Sequence, residues 1–431
     1  MRIPRSAIVH AATLFGSGAR AADASFDAVV ATPGLWTLKQ DEFQQATPTL
    51  PFQWTSAAHD SARAARPAMT LFGLPVVEAI ARFDADKLAS FTANIYARGD
   101  AGELTKERFD KLVRDSVAAI TKATNVKFTD RGKDPTNAVK AEGLLWKTPA
   151  SLFTLEYSFT REVKTRGIPF RAEFVRLEIT PLPKGVAAFS TAAPSTLRFN
   201  PLSHIQRDTV SGDTYIKDVP MVDQGQKGYC VVASAERVMR YYGGSVDANE
   251  LAQIANSDAG GGTSYQSMIE ALRKVAARLK VRVREVEKMD VKDTLALIKD
   301  YNRAAKKDGA NQIPDPGHFI DMGAIYGAMN AGALREAHTK NKSDLSRFQR
   351  EVAENIDKGI PLLWTVHLGI LPDKNVPQSG GGHMRLIIGY NTKTNEVLFS
   401  DSWGAGHELK RMPAVDAWTI TTGITKIEPL S

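Results

Sequence analysis

One cysteine in 431 residues, Cys230, rules out an internal disulfide, so the fold must be held by its core and its hydrogen bonds. No apolar run reaches the 18 residues or so that a membrane-crossing helix needs, and no transmembrane segment is expected. Lys and Arg exceed Asp and Glu only mildly, with a formal charge of +7, and they do not crowd onto one stretch. A nucleic-acid partner, which calls for a concentrated basic face, is therefore not expected. No metal site and no cofactor are expected either, and no internal repeat is visible.

The chain does have the composition of a folded protein of two or three domains, 43% hydrophobic and 24% charged. Its first residues have the layout of an export signal. Arg2 and Arg5 are followed by a short apolar core over 7–15 and by Ala19-Arg20-Ala21, a small-x-small cleavage site. Cleavage there would remove three arginines and send the protein to the periplasm or beyond. The alternative is an ordinary amphipathic N-terminus on a cytoplasmic protein.

Residues 22–70 show little periodicity and read as loop with one short helix. Beyond them the pattern predicts strands over 76–83, 88–97, 143–146, 152–160 and 170–179, and an amphipathic helix over 105–124. Residues 22–183 thus read as a separate α+β domain. A linker rich in Pro, Ser and Thr follows over 184–213, and a second α+β domain fills 214–431. In that second domain the expected order is a strand over 214–222, helices over 230–242, 247–255 and 265–279, a strand over 280–286 and a helix over 291–301. A loose insertion with one helix near Ala333 occupies 304–342, before a helix over 348–358. Strands over 361–366, 383–390 and 396–399 close the series, with a hairpin turn at 391–395.

Cys230 opens the helix over 230–242, where the macrodipole favours a thiolate. A lone cysteine is more often a core residue, so the reading depends on partners. Eight histidines are present. His383 follows three glycines and starts an apolar strand; His367, at the end of the preceding strand, is the competitor, and either would serve as a structural histidine at a sheet edge. Asp401 follows the strand that folds back beside His383, so the two can be neighbours, although a turn or cap role would also suit Asp401. Gln224, six residues before Cys230, is a neutral amide suited to stabilising an oxyanion, with Asp223 and Gln226 as nearby alternatives.

Taken in order, Gln224 and Cys230, Gly261-Gly262 before a helix, Gly382-His383 before a strand, and Asp401-Ser402-Trp403-Gly404 resemble the papain fold of cysteine peptidases over about half the chain. The closest likeness within it is to the bacteriocin-leader (double-glycine) processing peptidases and their relatives without a transporter. The resemblance implies hydrolysis of a peptide or protein substrate by Cys230, His383 and Asp401, with Gln224 as oxyanion donor. It also implies substrate binding by Gly261 and Gly262, with Trp403 packed over the His–Asp pair. The same residues would serve a transamidase or a cell-wall peptide amidase, or survive in a non-catalytic peptide-binding module. Nothing in the resemblance accounts for the domain over 22–183, which acts in cis either as an inhibitory segment or as an accessory domain.

Overall fold

The computed structural model describes residues 24–132, 139–182, 199–225, 228–244, 246–256, 265–277, 279–288, 290–317 and 320–430. The export signal, the first half of the proline-rich stretch, Gln226, Gly261 and Gly262 lie outside these residues.

Among the described residues, the N-terminal half is built on an antiparallel sheet of eight strands. Their order is Gln53–Trp54, Ser61–Ala64, Glu78–Asp84, Lys87–Ala97, Arg171–Pro181, Ser151–Thr160, Glu142–Lys147 and Thr129–Asp130. The helix Lys106–Thr124 lays Phe109 and Ile120 on the core; Thr105 caps its start and Asn125, in the left-handed region, ends it. The loop assignment of residues 22–70 is corrected by several elements, among them the helices Asp27–Val30 and Gln40–Ala46 and the strands Gln53–Trp54 and Ser61–Ala64. Ser61–Ala64 pairs with Glu78–Asp84, although its small residues have little strand preference of their own. Burial of Ala62 and Ala64 against the core supplies what propensity does not.

The C-terminal half carries a second antiparallel sheet, with the strands Ile205–Arg207, Asp213–Ile216, Gly381–Asn391, Leu362–Leu368, Thr421–Pro429 and Val281–Lys288 in that order. Glu396–Ser400 pairs with Gly381–Asn391, and Lys410–Pro413 with Glu396–Ser400. Strand alternation splits the core in two. Leu363, Met384, Leu386 and Ile388 meet the helices Cys230–Tyr241, Ala248–Ala255 and Tyr265–Val275. Leu362, Trp364, Val366 and Ile387 meet Lys342–Ile356 and Ala414–Ile420 on the other face. Mixed helices and antiparallel sheets in two regions make the chain α+β.

Three expectations need correction. The strand expected over 214–222 stops at Ile216, because Asp218 takes a positive φ of 62° and Lys217 turns its N–H to the His204 carbonyl at 2.9 Å. The loose insertion is helical: Val291–Asp308 runs past Tyr301, and Met322–Gly327 and Ala331–Thr339 pack with it around Tyr301, Tyr326 and Leu334. The closing strand Thr421–Pro429, not anticipated, sits in the middle of the sheet between Leu362–Leu368 and Val281–Lys288.

Salt bridges tie the halves together. Arg82 reaches Glu236 on the cysteine-bearing helix at 3.6 Å, and Arg63 reaches Asp223 at 3.4 Å. Arg176 bonds Glu250 at 2.8 Å and also pairs with Asp247. Phe174 and Val139 pack with Ile254 beside these ions.

Candidate active site

Cys230 is the first residue of a helix in which every residue from Val231 to Met239 is buried, Ser234, Glu236 and Arg237 included. The helix entry is fixed from outside. The ring of Tyr229, the residue before Cys230, lies so close to Gly99 that a Cβ there would come within 1.9 Å of its hydroxyl. The residue is half-buried. Burial opposes its ionisation, but His383 and the backbone amides of Met384 and Val231 outweigh burial, and its pKa is lowered.

His383 lies on Gly381–Asn391, in register with Val366 of the neighbouring strand. Its Nε2 meets Asp401 Oδ1 at 2.9 Å, with both side chains fully enclosed. Asp401 accepts the Nε2 proton and so leaves Nδ1 as the nitrogen available to the thiol. Nδ1 is buried and has no well-formed hydrogen bond. Burial alone would lower the imidazole's pKa, yet the hydrogen bond to Asp401 and the interaction with Cys230 raise it. A lowered thiol and a raised imidazole favour the thiolate–imidazolium pair. Trp403 covers that imidazole, its ring parallel within 4° and 4.2 Å away.

Asp401 is held by cations. Arg385, two residues after His383 and hence on the same strand face, donates Nε to Oδ1 at 3.0 Å. Lys410 stands 3.6 Å from Oδ2. Burial pushes the carboxyl up, but His383, Arg385 and Lys410 bring it below the usual carboxylate range. Arg237, two turns along the helix from Cys230, is buried and binds the Asp401 carbonyl at 2.8 Å and Ser400 Oγ at 2.5 Å. The helix bearing the thiol is thereby locked to the segment bearing the aspartate.

Gln224 is buried beside this segment. Its N–H donates to the Ser402 carbonyl at 2.8 Å, and its side-chain oxygen accepts from Ser402 Oγ at 2.7 Å. With its oxygen so engaged, the amide NH2 is the end left to donate elsewhere. Asp401, Ser402 and Trp403 thus act in succession on the imidazole, the glutamine and the imidazole again. Asp223 is a turn residue, accepting from Gly225 N–H at 2.9 Å.

The structure brings together Cys230, Gln224, His383, Asp401 and Trp403. It does not bring His367 to them: that ring stacks on Tyr326, 5.4 Å away, under the helical insertion, and burial lowers its pKa. Sequence reasoning missed Ser402, Arg385, Arg237 and Lys410. Only Ser402, adjacent to Asp401, and Arg385, at strand alternation from His383, carried a local signal.

The family model of the Peptidase_C39 like family matches residues 216–425. Among solved structures, xylellain, a cysteine protease from Xylella fastidiosa, is similar at 12% identity with a TM-score of 0.27, over 52% of this chain and 91% of that one. No curated protein matches the chain. Residues 216–425, just under half of the chain, are thus similar to the Peptidase_C39 like family, and a separate N-terminal region precedes them.

Proposed function

We propose that this domain hydrolyses peptide bonds with Cys230 as nucleophile. The thiolate attacks the scissile carbonyl, and His383 Nδ1 holds the thiol proton and returns it to the leaving amine. Asp401 orients the imidazole through Nε2 and stabilises its charge. The Gln224 amide and the Cys230 backbone N–H receive the oxyanion. Water then attacks the acyl-enzyme, giving a proton to His383 and releasing the acid with the thiol restored.

The observation that carries this reading is the His383–Asp401 hydrogen bond at 2.9 Å, which leaves the buried Nδ1 to interact with a thiol at a helix start. Cys230→Ala should lower peptide cleavage by about 10⁴-fold or more, as removal of a nucleophile does. Iodoacetamide should label the parent protein at Cys230 near neutral pH. A folded parent that resists labelling, or a Cys230→Ala protein that still cleaves, sinks the proposal.

A further inference from the structure

Two cavities run along the N-terminal half and share one side chain, Arg66. The smaller, about 350 Å³, has Trp54, Arg63 and Arg66 on one side and Asp223 and Trp403 on the other. Because Trp403 is the ring stacked on His383, this cavity begins one aromatic layer away from the imidazole. The larger, about 650 Å³, continues past Arg66 along Met69, Val76 and Asp100. A peptide leaving the thiol in this direction would therefore run onto the N-terminal half.

The charges along that path are not equally satisfied. Arg63 is matched by Glu78 at 2.5 Å and by Asp223 at 3.4 Å. Asp100, in the larger cavity, acts electrostatically on Arg63. Three enclosed or half-buried arginines of this half have carboxylates of their own: Arg82 has Glu236, Arg98 has Glu173, and Arg176 has Glu156 and Glu250. Arg66 is half-buried and has no hydrogen-bond or ion-pair partner among the described residues, and its Nε is fully enclosed. Arg66 lines both cavities, and its planar guanidinium fork fits a carboxylate in two-point contact.

We propose that Arg66 is a specificity-determining residue that receives a carboxylate of the peptide substrate, in a subsite formed between the N-terminal half and the Trp403 segment. The proposal rests on the peptidase reading above. It assigns to the N-terminal half a direct part in choosing what is cut. The carboxylate belongs either to an Asp or Glu side chain or to the peptide's C-terminus.

The test separates the subsite from the chemistry. Full-length protein carrying Cys230→Ser is incubated with a synthetic octapeptide library, in free-acid and C-terminally amidated forms, and retained peptides are sequenced. With Arg66 present, acidic peptides should be enriched about tenfold, as one charge-assisted contact predicts. Arg66→Gln should abolish that enrichment and Arg66→Glu should replace it with Lys and Arg. Enrichment confined to the free-acid set would assign the subsite to a terminal carboxylate. The same retained set in all three proteins overturns the proposal. Arg66 has no partner to lose, so melting temperatures should agree across the variants. Cleavage of the library by protein with intact Cys230 provides the second arm. Acidic peptides retained but never cut would sink the peptidase reading and leave the subsite standing. Cleavage with no dependence on Arg66 would sink the subsite alone.

Discussion

The two halves of the molecule bury charge in opposite ways. In the N-terminal sheet, buried carboxylates sit between cations that neutralise them. Glu156 lies between Arg131 and Arg176, and Glu173 between Arg98 and Arg171. Burial opposes the charge on Glu156, yet Arg176 and Arg131 outweigh it and bring its carboxyl down to about 2. In the C-terminal sheet the enclosed pair is His383 and Asp401, in which the imidazole is open to Cys230 and Asp401 Oδ2 faces Lys410 at 3.6 Å. Carboxylates closed in this way tie the N-terminal sheet to the helix Ala248–Ala255, whereas an imidazole open to a thiol has capacity left for chemistry.

The sharpest way to break that contrast is to close the open pair. Asp401→Asn keeps an acceptor opposite His383 Nε2 but removes the charge that helps raise the imidazole's pKa. The thiolate–imidazolium form persists between the pKa of the thiol, which is lowered, and that of the imidazole, which is raised. Without the carboxylate the upper bound falls, so the alkaline limb of the kcat/KM profile should shift to lower pH. A loss of about 10³-fold at neutral pH is expected, on the scale of the corresponding change in a serine triad. An unshifted alkaline limb would mean that Asp401 does not act through His383.

Next in size is Gln224, the amide proposed to receive the oxyanion. Gln224→Ala should lower kcat by about 10²-fold with little change in KM, because the contact forms mainly in the transition state. Rates that respond only through KM would remove Gln224 from that role.

Which of these parts could be read from the sequence follows from how far along the chain each interaction reaches. His383 and Asp401 were legible because one hairpin, Gly381–Asn391 with Glu396–Ser400, carries them into contact. Gln224 and Cys230 were legible through their spacing and the helix start. Choosing His383 over His367 needed more than alternation, since both end or begin strands. What separates them is the insertion that covers His367 with Tyr326, and that insertion read as loop because its helices are short and broken by glycine and proline. The strands at 78–84 and 87–97 announced themselves by pattern, whereas Ser61–Ala64 is a strand only through its neighbours. The contacts of the N-terminal half with the site were illegible altogether. Arg63 and Asp223 are 160 residues apart, and nothing local to either names the other.

That contact offers the smallest effect and the finest test of the comparison, because Arg63 belongs to both kinds of charge site. Toward Glu78 it is one member of a closed pair, and toward Asp223 it touches the segment that carries Gln224. Its Nη2 also stands 2.8 Å from where a side chain on Gly225 would begin. An accessory role for the N-terminal half predicts that Arg63→Ala loosens Asp223-Gln224-Gly225 and lowers kcat about tenfold, a modest misplacement of a positioned donor. Glu78 keeps Asn94 Nδ2 at 2.7 Å, so the substitution leaves that carboxylate one partner. The decisive measurement is the double variant. If Arg63 acts through Gln224, removing it from the Gln224→Ala protein should cost almost nothing further, whereas independent effects would multiply. Multiplying losses would return Arg63 to the closed, structural class. An increase in activity on removing Arg63 would instead identify the N-terminal half as inhibitory.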